Sequence, residues 1–133
     1  MCIMYKIMLL DDDKFILASL QRSLRKEKDW LVEIFHDPVA ALESVNQQHY
    51  DLIMSDYQMP VMSGIEFLAQ VKRLQPETIR IILSGDASQE LVHQAEVEAD
   101  VHDFVCKPIK QPELIAKLTE AFNTYERVVK TGK

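Results

Sequence analysis

Short runs of β-branched and other apolar residues alternate along the chain with longer segments whose apolar positions recur every three or four residues. That alternation is the pattern of successive βα units on a parallel sheet. Strands are predicted at Tyr5 to Leu10, Leu31 to Phe35, Asp51 to Ser55, Arg80 to Leu83 and Asp103 to Cys106, and the helices begin near Lys14, Pro38, Gly64, Gln89 and Pro112. In the first helix Ile16, Leu17, Leu20 and Leu24 share one side, leaving Gln21, Arg22, Arg25 and Lys26 for solvent. The last helix carries Leu114, Leu118, Ala121, Phe122, Tyr125 and Val129 on one stripe, with Pro112 as a first-turn residue. Both stripes are expected to lie on the sheet. Thr131, Gly132 and Lys133 read as a frayed end.

Right-handed crossovers bring the carboxyl ends of all parallel strands to one edge, where ligands of such sheets bind. Polar residues stand where this predicts: Asp11, Asp12 and Asp13 after the first strand, Asp56 after the third, Ser84 after the fourth and Lys107 after the fifth. Carboxylates gathered at one edge repel each other unless some are protonated or a cation holds them. Oxygen ligands on short loops suit Mg²⁺, which takes one or two carboxylates and completes its shell with water and phosphate oxygens. An ammonium and a hydroxyl beside it can each hold a phosphoryl oxygen. The combination describes an aspartyl-phosphate site in which one Asp is the nucleophile.

The chain's 133 residues suit a single domain spanning 1–133, with a core over about residues 5–126. An apolar fraction of 47% and a charged fraction of 27% give a foldable composition, while a formal net charge of −6 argues against direct binding to nucleic acid or acidic membranes. Cys2 and Cys106 match neither a disulfide framework nor a metal site, which implies reduced thiols in a cytoplasmic setting, with Cys106 a small buried hydrophobe. The apolar start is broken by Lys6 and runs into three aspartates, so no signal peptide or membrane span is expected there. His36, His49, His93 and His102 lie at no metal-ligand spacing and read as surface or partly buried imidazoles. Asp13 suits a helix cap, Trp30 stands just before the second strand to pack at the sheet edge, Pro60 fixes a loop, and Gly64 offers a strained backbone angle at a helix start.

Four motifs in order, Leu10-Asp11-Asp12-Asp13, Asp56 with Met59-Pro60 and Gly64, Ile82-Leu83-Ser84-Gly85, and Phe104 with Lys107-Pro108, resemble the receiver domain of two-component response regulators. The resemblance runs from Tyr5 to about Tyr125. It implies a flavodoxin-like, doubly wound α/β fold: a five-stranded parallel sheet in the order 2-1-3-4-5, flanked by five helices. Carried over by position, it makes Asp56 the phosphoacceptor and Asp12 the direct Mg²⁺ ligand. Asp11 would bind the metal mainly through water, and the backbone carbonyl of Gln58 would complete the protein's share of the coordination. Ser84 and Lys107 would each hold a phosphoryl oxygen, and Phe104 is the switch aromatic whose rotamer follows Ser84. The resemblance also implies a cis Lys107-Pro108 bond. Gln58 and Asp86 fall where the hydrolytic water passes, so they are expected to modulate the phosphoryl lifetime.

The implied partners are a histidine kinase or histidine phosphotransfer protein and a downstream target, reached through the face of the fourth helix, fifth strand and fifth helix. The implied activity is a phosphoacceptor's and not a turnover enzyme's. One departure is Asp100-Val101, where many family members have Gly-Ala; Asp tolerates a left-handed backbone, so the turn is expected to survive. Two other readings are weaker. A haloacid-dehalogenase-type phosphatase would use Asp11 and Asp13 but lacks a second acidic pair after a late strand. A silent interaction module would have lost a carboxylate or the lysine, and this chain has every one.

Overall fold

A computed structural model describes residues 4–85 and 88–126. The chain runs β1 (Tyr5–Leu10), α1 (Lys14–Leu24), β2 (Trp30–Phe35), α2 (Pro38–Gln47), β3 (Leu52–Asp56), α3 (Gly64–Leu74), β4 (Ile79–Ser84), α4 (Gln89–Ala99), β5 (Asp103–Cys106) and α5 (Gln111–Ala121), and ends in a π-helical turn, Phe122–Glu126. The five strands are parallel, in the order β2-β1-β3-β4-β5. This is the flavodoxin-like arrangement expected from the sequence, and it places the loops after β1, β3, β4 and β5 at one edge.

Strand alternation sorts the core into two layers. Ile7, Leu9, Leu52, Met54, Ile81, Leu83 and Val105 pack with α1 and α5, through Leu17, Leu20, Leu114 and Leu118. Met8, Leu10, Ile53 and Ile82 face α2, α3 and α4, meeting Val45, Phe67, Leu68 and Ala95. Each buried aliphatic side chain contributes about 1.5–3 kcal/mol relative to exposure, so the layers hold the sheet and leave its loop edge free for polar chemistry.

The starts of α1 to α4 are fixed by side chains. Asp13 accepts from the Phe15 and Ile16 amides, Asp37 from Val39, and Ser88 from Leu91. Ser63 and Glu66 exchange bonds in a capping box. Asp13 is therefore a cap, as its type suggests. Asp100 turns the chain out of α4 in the left-handed region (φ 48°), its amide bonded to the Ala95 and Glu96 carbonyls.

Several expectations need correction. Asp56 and Ser84 are the last residues of β3 and β4 instead of following them, because the backbone ladder continues past the apolar run. Trp30 opens β2 and packs against Phe122, with ring centroids 5.8 Å apart. Cys106 is exposed: β5 is an edge strand, and its last residue points away from the Val105 side that α1 and α5 cover. Gly64 does not adopt a positive φ. Its necessity is steric, since a Cβ there would come within 2.2 Å of the Asp56 carbonyl oxygen. Cys2, Asp86, Val129 and the Thr131-Gly132-Lys133 end lie outside the described residues.

The strained residue of this loop is Val61, at φ 75°, where the Pro60 carbonyl accepts from the Met62 amide at 2.8 Å in a γ-turn. A β-branched residue there carries about 1–3 kcal/mol of strain. Glycine would relieve it at an entropic cost of roughly 0.5–1 kcal/mol. Val61→Gly is therefore expected to raise stability by about 1 kcal/mol in urea unfolding. A variant less stable than the parent would show that the loop is not strained at this residue.

Candidate functional site

The loop edge holds a cavity of about 670 Å³ lined by Asp11, Asp12, Asp56, Gln58, Ser84 and Lys107, among others. Each residue is delivered by the end of a strand. Asp11 follows β1, its amide still bonded to the Phe35 carbonyl, and is 1% exposed. One of its carboxylate oxygens accepts the Asp13 amide at 2.9 Å, so the α1 cap and the site share a turn. Asp12, between them, faces solvent. Asp56 ends β3, and the Tyr57 amide reaches the Leu83 carbonyl at 3.1 Å. Gly64 closes the loop from the other side by donating its amide to the Tyr57 carbonyl at 2.8 Å.

Lys107 leaves β5 with its amide bonded to the Ser84 carbonyl at 2.9 Å, and the Lys107-Pro108 bond is cis. Its Nζ sits 2.9 Å from Asp56 Oδ1 and 3.1 Å from Asp11 Oδ2. The one ammonium is thus shared, and its 3.1 Å ion pair is what the buried Asp11 Oδ2 meets. Ser84 is buried at the end of β4, opposite Cys106 in the ladder. Phe104, on β5, is half-buried against the layer that α2, α3 and α4 cover. Gln58 is exposed on the loop after β3.

Burial sets the electrostatics. Desolvation pushes the Asp11 carboxyl above its ordinary value and Asp12 adds to this, against the pull of the Asp13 amide and Lys107. Desolvation also raises Asp56, reinforced by Asp11 and Asp12 and opposed by Lys107. Burial alone would lower the Lys107 ammonium, but bonds to Asp56 and Asp11 outweigh it and hold the group charged. One ammonium thus faces a surplus of carboxylate.

Asp11, Asp12 and Asp56 each offer an oxygen within 4.8 Å of the other two. The hard-oxygen donor set, three carboxylates against one ammonium, fits a small divalent cation such as Mg²⁺. Tyr57, Met59 and Ile16 also line the cavity. Tyr57 and Ile16 carry no chemical signature of a site, and their nearness to Asp56 and Asp13 in the chain is the available hint, whereas Met59 stands in the Met59-Pro60 motif.

Known proteins converge on the same assignment. Residues 7–119 match the model of the response regulator receiver domain. Over 114 residues, 85% of this chain and 48% of the relative, the sequence is 32% identical to the response regulator MprA of Mycobacterium ulcerans. The chain spans between about a fifth and a half of the curated relatives it matches. Among solved structures, the signal receiver domain of an HD domain-containing protein from Pseudomonas fluorescens Pf-5 superposes with a TM-score of 0.88 at 27% identity, covering 98% of this chain and 95% of that one. The BeF3-activated DrrB receiver domain gives 0.81 at 28% identity, covering 91% and 99%. Receiver domains bind Mg²⁺ at an acidic pocket, and none of the helices among the described residues is long and apolar enough to cross a membrane. With the sheet order, the acidic cavity and the strand-end lysine in place, this chain belongs to the response regulator receiver domain family of two-component systems.

Proposed function

We infer that this chain takes a phosphoryl group onto Asp56 from a phosphohistidine on a histidine kinase or phosphotransfer protein, or from a small acyl phosphate. The observation that carries this is the charge balance of the cavity: three converging carboxylates against one ammonium, which the buried Asp11 shares with Asp56. Asp56 Oδ attacks phosphorus in line as the donor nitrogen or oxygen leaves, and the acyl phosphate is later hydrolysed by water. Asp11, Asp12, Asp56 and the Gln58 carbonyl would hold Mg²⁺, which supplies charge neutralisation for the phosphoryl oxygens. Lys107, held within the cavity by Ser84 and Asp56, moves from a carboxylate to a phosphoryl oxygen, and Ser84 donates to another. The chain acts as a phosphoacceptor that turns over only its own phosphoryl group, as a single receiver domain with its core over about residues 5–126, in the cytoplasm.

Two apolar side chains stand out of the surface beside lining residues: Phe15, 88% exposed, next to Ile16, and Val61, 87% exposed, next to Pro60. Such a rim suits a protein donor, whose binding energy must come from outside the pocket. The phosphorylated state would repack Ser84 and Phe104 and shift a two-state equilibrium of the α4-β5-α5 face toward a downstream protein. Beryllofluoride with Mg²⁺, a phosphoryl mimic, tests this: the amide signals of Ser84, Phe104 and Lys107 are expected to shift, whereas signals moved by Mg²⁺ alone would contradict it.

Gln58 and Asp86 are proposed to orient the hydrolytic water, Gln58 from the exposed loop after Asp56. Gln58→Ala and Asp86→Ala are expected to change the decay rate of the phosphorylated chain by roughly 10-fold, less than the roughly 10²-fold or more of a full general acid or base. Following loss of the phosphoryl mass over time measures this, and parental decay in both variants would remove the two residues from the mechanism.

A further inference from the structure

Alternation on β4 sends Arg80 to the same side as Ile82, into the layer beneath α4, where it is 2% exposed. Its guanidinium is bonded wholly to carbonyls. Nε donates to Ala99 at 3.0 Å, Nη2 to Asp100 at 3.2 Å, and Nη1 to Pro76 and Thr78 at 3.0 and 2.8 Å. The Asp100 carboxylate is farther, at 3.8 Å. A buried cation therefore gathers the carbonyl end of α4 onto the base of β4.

The neighbouring backbone pairing is unusual. The His102 amide donates to the Arg80 carbonyl at 2.8 Å, as a parallel ladder requires. The return bond does not go to a backbone carbonyl. The Arg80 amide donates to Nδ1 of the His102 ring, at 3.0 Å. A side chain thus completes the β4-β5 ladder one residue before β5 begins. An imidazole accepts at Nδ1 only when neutral and protonated at Nε2; the imidazolium has two donors and no acceptor. The ring also meets Tyr125 edge-on at 4.7 Å, and the Tyr125 hydroxyl donates to the His102 carbonyl at 3.0 Å. The contact ties the end of the last helix to the same spot.

We propose that His102 is a proton-operated latch: neutral, it fastens the start of β5 to β4 and holds Tyr125; protonated, it releases the Arg80 amide and loosens the α4-β5 connection. The groups facing the ring are Arg80 from β4, Asp100 from the end of α4 and Tyr125 from the π-helical turn, with Asp103 beside it on its own strand. Burial and the Arg80 guanidinium charge oppose protonation, Asp100 and the Arg80 backbone favour it, and the balance lowers the His102 value below its ordinary 6.5. A histidine whose folded value is depressed contributes stability that is whole above 6.5 and is lost as pH falls through the folded value. The latch therefore opens on acidification. Its bearing on signalling rests on the proposed role of the α4-β5-α5 face; the latch itself does not.

Proton NMR of the full chain, with amide exchange, tests this without a phosphoryl group. His102 is expected to titrate below the ordinary histidine value of 6.5. Protection of the Arg80 amide, corrected for intrinsic exchange, is expected to fall by up to about tenfold per pH unit as pH drops from 6.5 to that midpoint, as for one coupled proton, and to level off below it. His102→Asn keeps an acceptor oxygen near the Nδ1 position and cannot titrate, so its Arg80 protection should stay flat with pH. His102→Phe, with no acceptor, should be poorly protected even at neutral pH. The proposal is overturned if His102 titrates at or above 6.5 while Arg80 protection stays constant, or if His102→Asn is as pH-sensitive as the parent. Should His102→Phe not fold, the parent and the Asn variant still decide. All readouts lie away from the acidic cavity, so failure of the phosphoacceptor reading would leave them unchanged.

Discussion

Asp56→Asn is expected to abolish phosphoryl uptake and, at the same time, to make the metal-free protein more stable. The loss follows because an amide is no nucleophile toward phosphorus and brings no anionic ligand to the cavity. The gain follows from the site's electrostatics. Burial, with Asp11 and Asp12 nearby, raises the Asp56 carboxyl, so folding disfavours its ionised form at neutral pH. For an acid whose folded value is raised, the favourable contribution is whole below the ordinary value of 3.8 and is lost as pH climbs through the folded value. At pH 7 the amide should therefore make the metal-free protein more stable than the parent. Near pH 3.5 the difference should vanish. Added Mg²⁺ should reverse the ranking, since a cation at 100 times its dissociation constant stabilises the parent by about 2.7 kcal/mol and the variant by less. Urea unfolding at both pH values, with chelator or Mg²⁺, measures all of this. A variant less stable than the metal-free parent at pH 7 would contradict the charge surplus.

Lys107→Ala is expected to act in the opposite direction on stability and the same direction on chemistry. The ammonium lies 2.9 Å from Asp56 and 3.1 Å from Asp11, and removing it leaves two buried carboxylates without a counter-ion. Breaking a fully buried pair costs about 3–5 kcal/mol; with Lys107 a quarter exposed, roughly 1–3 kcal/mol is the reasonable scale here. Phosphoryl transfer from an acyl phosphate should slow on the order of 10²-fold or more, the usual effect of losing one preorganised charge at developing oxyanions. The double variant Asp56→Asn, Lys107→Ala should be less unstable than the lysine variant alone, with a coupling of about 0.5–3 kcal/mol. Additive effects would mean that the two groups do not interact in solution.

The starts of α1 to α4 lie next to Asp13, Asp37, Ser63 and Ser88, caps that act locally, whereas α5 begins at Gln111 with no side-chain cap. The strand ends at Asp56 and Ser84 were read one residue short, since polarity marks the end of an apolar run while the hydrogen-bond ladder runs on. The site's residue types were legible from their places after strands, but their sharing of one ammonium depends on a three-dimensional approach across more than fifty residues of chain. Val61 could not be foreseen in a left-handed turn, being a residue type that avoids it, and Gly64 was assigned that burden when its task is to let α3 approach the Asp56 backbone. Arg80 and His102 were opaque for a similar reason. An inward arginine breaks strand patterning, and a ring nitrogen replacing a backbone carbonyl leaves no periodic trace.

The most direct test is the intact mass of the chain after incubation with Mg²⁺ and a small acyl phosphate, beside Asp56→Asn and a chelator-treated sample. The account predicts one added phosphoryl group on the parent, and none on the variant or without metal. An unmodified parent that is demonstrably folded, or an adduct that survives loss of Asp56, would contradict it.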